Sequence, residues 1–110
     1  MAVEQRRSPR VQAALPVRWN RHQRTVEAVA GDINEHGMFL RTTETTPPGT
    51  LLELDVVEAS GPIAMFGIAR FVGATESGTG IGVEIYAIAH AERRRWIERY
   101  RSLLTSRPTS

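Results

Sequence analysis

From residue 14 to residue 86 the chain keeps returning to a two-residue hydrophobic period. Leu15, Val17 and Trp19 alternate with Pro16 and Arg18, which predicts a first strand over Ala14 to Trp19. A turn around Asn20 to Gln23 follows. Thr25 to Ile33 alternates again and is rich in valine, which predicts a second strand. Asn34-Glu35-His36-Gly37 ends it as a turn, with Gly37 there to supply any positive φ. Met38 to Thr42 is the third strand. In Thr46-Pro47-Pro48-Gly49 a proline pre-sets one φ and a glycine permits the other, so this segment turns. Leu51 to Val57 is the fourth strand, with Leu52, Leu54 and Val56 on one face. Ala59-Ser60-Gly61-Pro62 is the next turn. Ile63 to Val72 is a long fifth strand, Thr75 to Gly80 a glycine-rich loop, and Ile81 to Tyr86 the sixth strand.

The period then changes. From about Ala89 to Leu104 the residues Trp96, Ile97, Tyr100, Leu103 and Leu104 fall on one helical stripe. Arg94, Arg95, Glu98, Arg101 and Ser102 face away from it. The stripe should cover an open end or side of the strands. Six short strands with tight turns and one closing helix predict a mainly β fold, an antiparallel barrel or sandwich with a C-terminal α-helix. Met1 to Gln12 is polar, arginine-rich and interrupted by Pro9, and reads as a flexible arm. The domain itself then runs over residues 13–105, and residues 106–110 form a disordered tail.

Composition narrows the function. The chain has 110 residues, enough for one domain and one modest core. It has no cysteine, so it forms no disulfide and no thiolate metal site, which suits a reducing cytoplasm. No stretch approaches the roughly 18 apolar residues of a membrane span. No apolar run follows the charged first residues, so no signal peptide is expected. His22, His36 and His90 are scattered and lack metal-ligand spacing. No nucleophile with a base partner can be argued from spacing, so an enzyme is not expected, and neither a metal nor a cofactor is implied. All the basic residues are arginine, a total that coding bias in a GC-rich genome would explain. Arginine is nonetheless the planar, bidentate cation suited to phosphates and guanine edges. The net charge is only +2, too small for a domain that coats nucleic acid.

Two segments carry candidate chemistry. Arg6-Arg7-Ser8-Pro9-Arg10 has two arginines four apart, R-x-x-x-R. Asp32-Ile33-Asn34-Glu35-His36-Gly37 reads D-x-N-x-x-G. An arginine fork matches the O6 and N7 acceptors of guanine, and it also matches a phosphate. An ionised Asp is acceptor-only and can take the N–H groups of guanine's other edge. A glycine beside it lets the backbone come close to a ligand. Without a ligand, the same residues would be a solvated arm and ordinary turn chemistry.

Together, in this order and ahead of this strand pattern, the two segments resemble the signature of the PilZ-domain family, R-x-x-x-R followed by D/N-x-S-x-x-G. The resemblance covers nearly the whole chain. It implies a six-stranded antiparallel split β-barrel with a C-terminal helix, and a bacterial receptor for the second messenger cyclic di-GMP. Carried over by residue, it makes Arg6 and Arg10 the arginine pair, with Arg7 able to supplement them. Asp32 is the acid and Gly37 the glycine. Asn34 stands where the family usually has serine, which is the clearest departure. Gly80-Ile81-Gly82-Val83 looks like the family's G-x-G-V segment, read here as a crowded strand where small residues permit close packing.

The resemblance therefore implies a cytoplasmic signal-transduction module that binds cyclic di-GMP and relays it to a protein partner. The alternative is a PilZ-like protein-interaction module with weak or no nucleotide binding, which the Asn34 departure would suit. A third reading, an arginine-rich barrel for RNA or DNA, needs aromatic residues interleaved with basic ones on an exposed strand. Aromatics are few and several have core-like spacing, so no DNA or RNA partner is expected.

Overall fold

The computed structural model describes residues 9–76 and 78–105. Met1 to Ser8, and with them Arg6, Arg7 and most of the expected arm, lie outside the described residues, as does the expected tail at 106–110. Six strands and one helix follow in order: β1 (Val11–Arg21), β2 (Arg24–Asn34), β3 (Gly37–Arg41), β4 (Leu51–Val56), β5 (Ile63–Thr75), β6 (Gly78–Ala87) and α1 (His90–Thr105). The strands close into an antiparallel barrel in the order β1-β2-β3-β6-β5-β4. Among the described residues, closure gives every strand a neighbour on both sides.

The alternation read from the sequence sets the interior. Val17 and Trp19 of β1, Val26, Ala28 and Ala30 of β2, Leu52, Leu54 and Val56 of β4, and Ile63, Met65 and Ala69 of β5 all point inward. Each large apolar side chain buried this way contributes about 1.5–3 kcal/mol. Trp19 is part of this core, and the Arg21 guanidinium lies 4.5 Å from its ring centroid.

Strand ends shift by a residue or more in several places, and two of the differences from the sequence reading are substantial. β1 takes in Val11 and Gln12, which the composition alone assigned to the arm, because Val11 is buried in the core. The glycine-rich segment Thr75 to Gly80 is mostly not a loop. β5 and β6 stay paired through Gly73–Gly80, Ala74–Thr79 and Thr75–Gly78. Backbone pairing needs no side chain, so a hairpin can continue through residues that carry no hydrophobic pattern.

The helix is placed by its expected stripe. Trp96 and Tyr100 are buried, and Ile97, Leu103 and Leu104 pack against the core from its edge. Arg95 was expected to face away. Instead its guanidinium donates to Ser60 Oγ at 2.9 Å, to the Gly61 carbonyl at 2.6 Å and to the Pro62 carbonyl at 3.1 Å. It thereby ties α1 to the β4–β5 turn. Arg99 pairs with Glu58 at the same end, and that hydrogen bonding raises its pKa above the usual arginine value. None of the described helices is long and apolar enough to cross a membrane.

Candidate functional site

The outer face of β2, β3, β6 and β5 carries a cleft of about 380 Å³. Arg10, Asp32, Asn34 and Gly37 all line it, joined by His36, Arg70, Phe71, Gly82 and Glu84. The four expected site residues among those described therefore share one concavity. Arg10 reaches it from the residue just before β1, and the others from the β2–β3 hairpin.

A bulge aims the acid. Along β2 the inward residues are Val26, Ala28 and Ala30. Strict alternation would turn Asp32 into the core next. The register shifts instead: Ala30 pairs with Leu40, but Asp32 pairs with Phe39. Gly31 is the extra residue. Parity flips there, so Ile33 is buried and Asp32 and Asn34 face the cleft. Re-aiming one side chain is a recurrent use of a bulge.

The same device operates across the cleft. Ile63, Met65, Gly67 and Ala69 of β5 point inward. Ala69 pairs with Val83, whereas Phe71 pairs with Gly82, so Arg70 is the extra residue. Phe71 is turned outward and stays 46 % exposed. One row across the sheet then reads Asp32, Phe39, Gly82, Phe71. Arg70 Nε donates to Glu84 Oε1 at 2.6 Å beside that row. Sequence reasoning missed Arg70, Phe71 and Glu84, because a regular strand would bury Phe71 and nothing in the composition marks the bulge.

Gly37 owes its place to close approach, not to the positive φ expected from the turn. It is absent from the glycines with positive φ. A Cβ built on it would lie 2.1 Å from the Val83 carbonyl oxygen. Only a residue without a side chain lets β3 run this near β6. Gly80 is crowded in the same way, 1.8 Å from the Leu40 carbonyl oxygen, as expected for the G-x-G-V segment. Gly82 differs, since its added Cβ would meet Phe71 Cβ at an ordinary 3.4 Å.

Asn34 closes the turn. Its Oδ1 accepts from the His36 backbone N–H at 2.8 Å, an Asx-type bond. Its carbonyl accepts from Trp96 Nε1 at 3.1 Å. Further along α1, the Tyr100 hydroxyl donates to the Pro9 carbonyl, next to Arg10. The helix is thus bonded to both halves of the site. Burial raises the Tyr100 pKa, and the Glu35 carboxylate adds to the rise. Among the described residues no group of His, Asp and Glu is arranged to hold a metal ion.

Solved structures show the same architecture at low identity. The inhibitor of motility MotI/DgrA of Bacillus subtilis aligns with a TM-score of 0.75 at 18% identity, over 96% of this chain and 54% of its own. The PilZ domain of YcgR from Escherichia coli, solved with c-di-GMP, aligns at 0.69 and 13% identity, over 93% of both chains. The K. pneumonia MrkH–c-di-GMP complex aligns at 0.75 and 20% identity, over 94% of this chain and 53% of MrkH. This chain spans about half the length of MotI/DgrA and of MrkH. Among the curated proteins none matches it. The PilZ domain family matches residues 4–101, a span that holds both motifs, all six strands and most of α1, and the chain belongs to that family.

Proposed function

We propose that the chain is a receptor for cyclic di-GMP and that the occupied face engages a protein partner. One observation carries the reading: Arg10 lines the same cleft as Asp32, Asn34 and Gly37, which lie more than twenty residues away in sequence. Cyclic di-GMP presents two guanines and two phosphates. Arg10 offers a fork for a phosphate or a guanine edge, with Arg6 and Arg7 of the arm as its partners. Asp32 accepts from guanine N–H groups. Gly37 and the turn let the ligand approach the backbone. The solved complexes of YcgR and MrkH with c-di-GMP support the choice of ligand.

The relay runs through α1. Trp96 bonds to the motif turn and Tyr100 to the base of the arm, so a ligand that draws the two halves together also loads the helix. The role is that of a receptor, with the ligand left chemically unchanged. Calorimetric titration of the pure protein with cyclic di-GMP tests the reading, with GTP and GMP as controls. Saturable binding of the cyclic dinucleotide alone is expected. A protein that stays folded and takes up no cyclic di-GMP would refute it.

A further inference from the structure

Packing accounts for Phe71 only in part: the end of its ring lies against Gly73, where an added Cβ would sit 3.2 Å from Phe71 Cζ. The bulge at Arg70 takes an aromatic ring out of the inward series of β5 and leaves it 46 % exposed at the cleft. Burying it would stabilise the fold, so its exposure is a cost to folding. Gly82 beside it has no side chain, and Phe39 lies on the far side of Gly82 in the same row. Phe71 leans on this backbone and Phe39 is only 3 % exposed, so Phe71 is the accessible ring of the row, at the opposite end from Asp32. Next to it Glu84 presents a carboxylate, one oxygen of which is held by Arg70. That ion pair is exposed, with side chains 61% and 53% accessible, and such pairs add little to stability.

We propose that Phe71 and Glu84 form a specificity-determining subsite for a second guanine: the Phe71 ring stacks on its face over Gly82, and Glu84 accepts from its N–H edge. This rests on the cyclic dinucleotide reading above and extends it. A cyclic dinucleotide has two bases, and Asp32 serves only one of them. Asp32 on β2 and Glu84 on β6 stand on different strands of the same cleft, each a carboxylate that can pair with guanine's N–H donors. Arg70 acts as a positioning residue. It fixes the Glu84 carboxylate, and its charge offsets the repulsion between Glu84 and the ligand phosphates. Adenine lacks the paired donors that Glu84 would recognise, so the subsite selects against it.

The test uses the full chain, with wild type, Phe71→Ala, Phe71→Tyr and Glu84→Gln titrated with cyclic di-GMP and cyclic di-AMP. Phe71 lies outside the core cluster and packs on Gly73 and Gly82, so Phe71→Ala should stay folded and melt only slightly below wild type. Its affinity for cyclic di-GMP should fall about 5- to 150-fold, the range of one base–aromatic stack, while Phe71→Tyr stays close to wild type. Glu84→Gln should lower the preference for cyclic di-GMP over cyclic di-AMP by about 5-fold or more. Phe71→Trp adds a direct readout, since the new exposed indole should be quenched by bound guanine. Undiminished binding by Phe71→Ala, an unquenched Phe71→Trp or unchanged base preference in Glu84→Gln would overturn the subsite while the receptor reading stands. A wild type that binds no cyclic di-GMP would overturn both.

Discussion

Gly37 is the motif residue whose role the structure restates most sharply, and Gly37→Ala tests it. The added methyl would start 2.1 Å from the Val83 carbonyl oxygen, 3.2 Å from its carbonyl carbon and 3.3 Å from Glu84 Cα. All three are backbone atoms of β6, so no rotamer change relieves the clash. Either β3 and β6 move apart or the Gly37–Glu84 pairing is lost, along with the adjacent Ile85 N–H to His36 carbonyl bond of 2.8 Å. Overpacking of this kind costs about 1–3 kcal/mol. Each lost backbone hydrogen bond adds about 0.5–1.5 kcal/mol. Alanine returns about 0.4–1 kcal/mol by restricting the unfolded chain. The net loss is about 3 kcal/mol, which for a domain of this size lowers Tm by roughly 10–25 °C. Urea unfolding and a thermal melt without ligand would measure it. A variant with unchanged stability and abolished cyclic di-GMP binding would refute the packing argument and make Gly37 a ligand contact first.

Arg10→Ala should weaken cyclic di-GMP binding about 5- to 150-fold, one bidentate contact, with an almost unchanged melt, because Arg10 is exposed; equal calorimetric affinities would remove Arg10 from the site. Asn34→Ser keeps a short acceptor for the His36 N–H, so stability should change by about 1 kcal/mol or less. Affinity should hold or fall slightly, and a tenfold gain would instead mark Asn34 as an obstruction. Trp96→Phe deletes the donor to the Asn34 carbonyl and should cost about 1–3 kcal/mol for the unsatisfied acceptor, apart from the lost packing; a melt equal to wild type would contradict it. Tyr100 has a raised pKa, so the folded state holds its proton more tightly than the unfolded chain does. Its contribution is full below the unfolded value of about 10 and is lost as pH rises through the higher folded value. Denaturation between neutral pH and pH 11 should therefore show an alkaline loss of stability that Tyr100→Phe lacks, and parallel profiles would disprove the assignment.

The hydrophobic period alone determined six strands, a closing helix and most of the core, since side chains alternate in a strand whatever surrounds it. Motif spacing determined the family, because the arginine pair, the acid and the glycine are set along the chain and need no fold to be read. The inner face of β4, with Leu52, Leu54 and Val56 buried, follows directly from that alternation. What the sequence could not determine is which way Asp32 and Phe71 point. Both depend on bulges, at Gly31 and Arg70, and a bulge exists only relative to the strand it is paired with. The extension of β5 and β6 through their glycines is likewise a property of backbone pairing between two segments. Gly37 reads as a turn residue in one dimension, but the atom that excludes a side chain there belongs to β6, more than forty residues later. Local chemistry set which residues could serve the site, and the register between strands decided which of them face it.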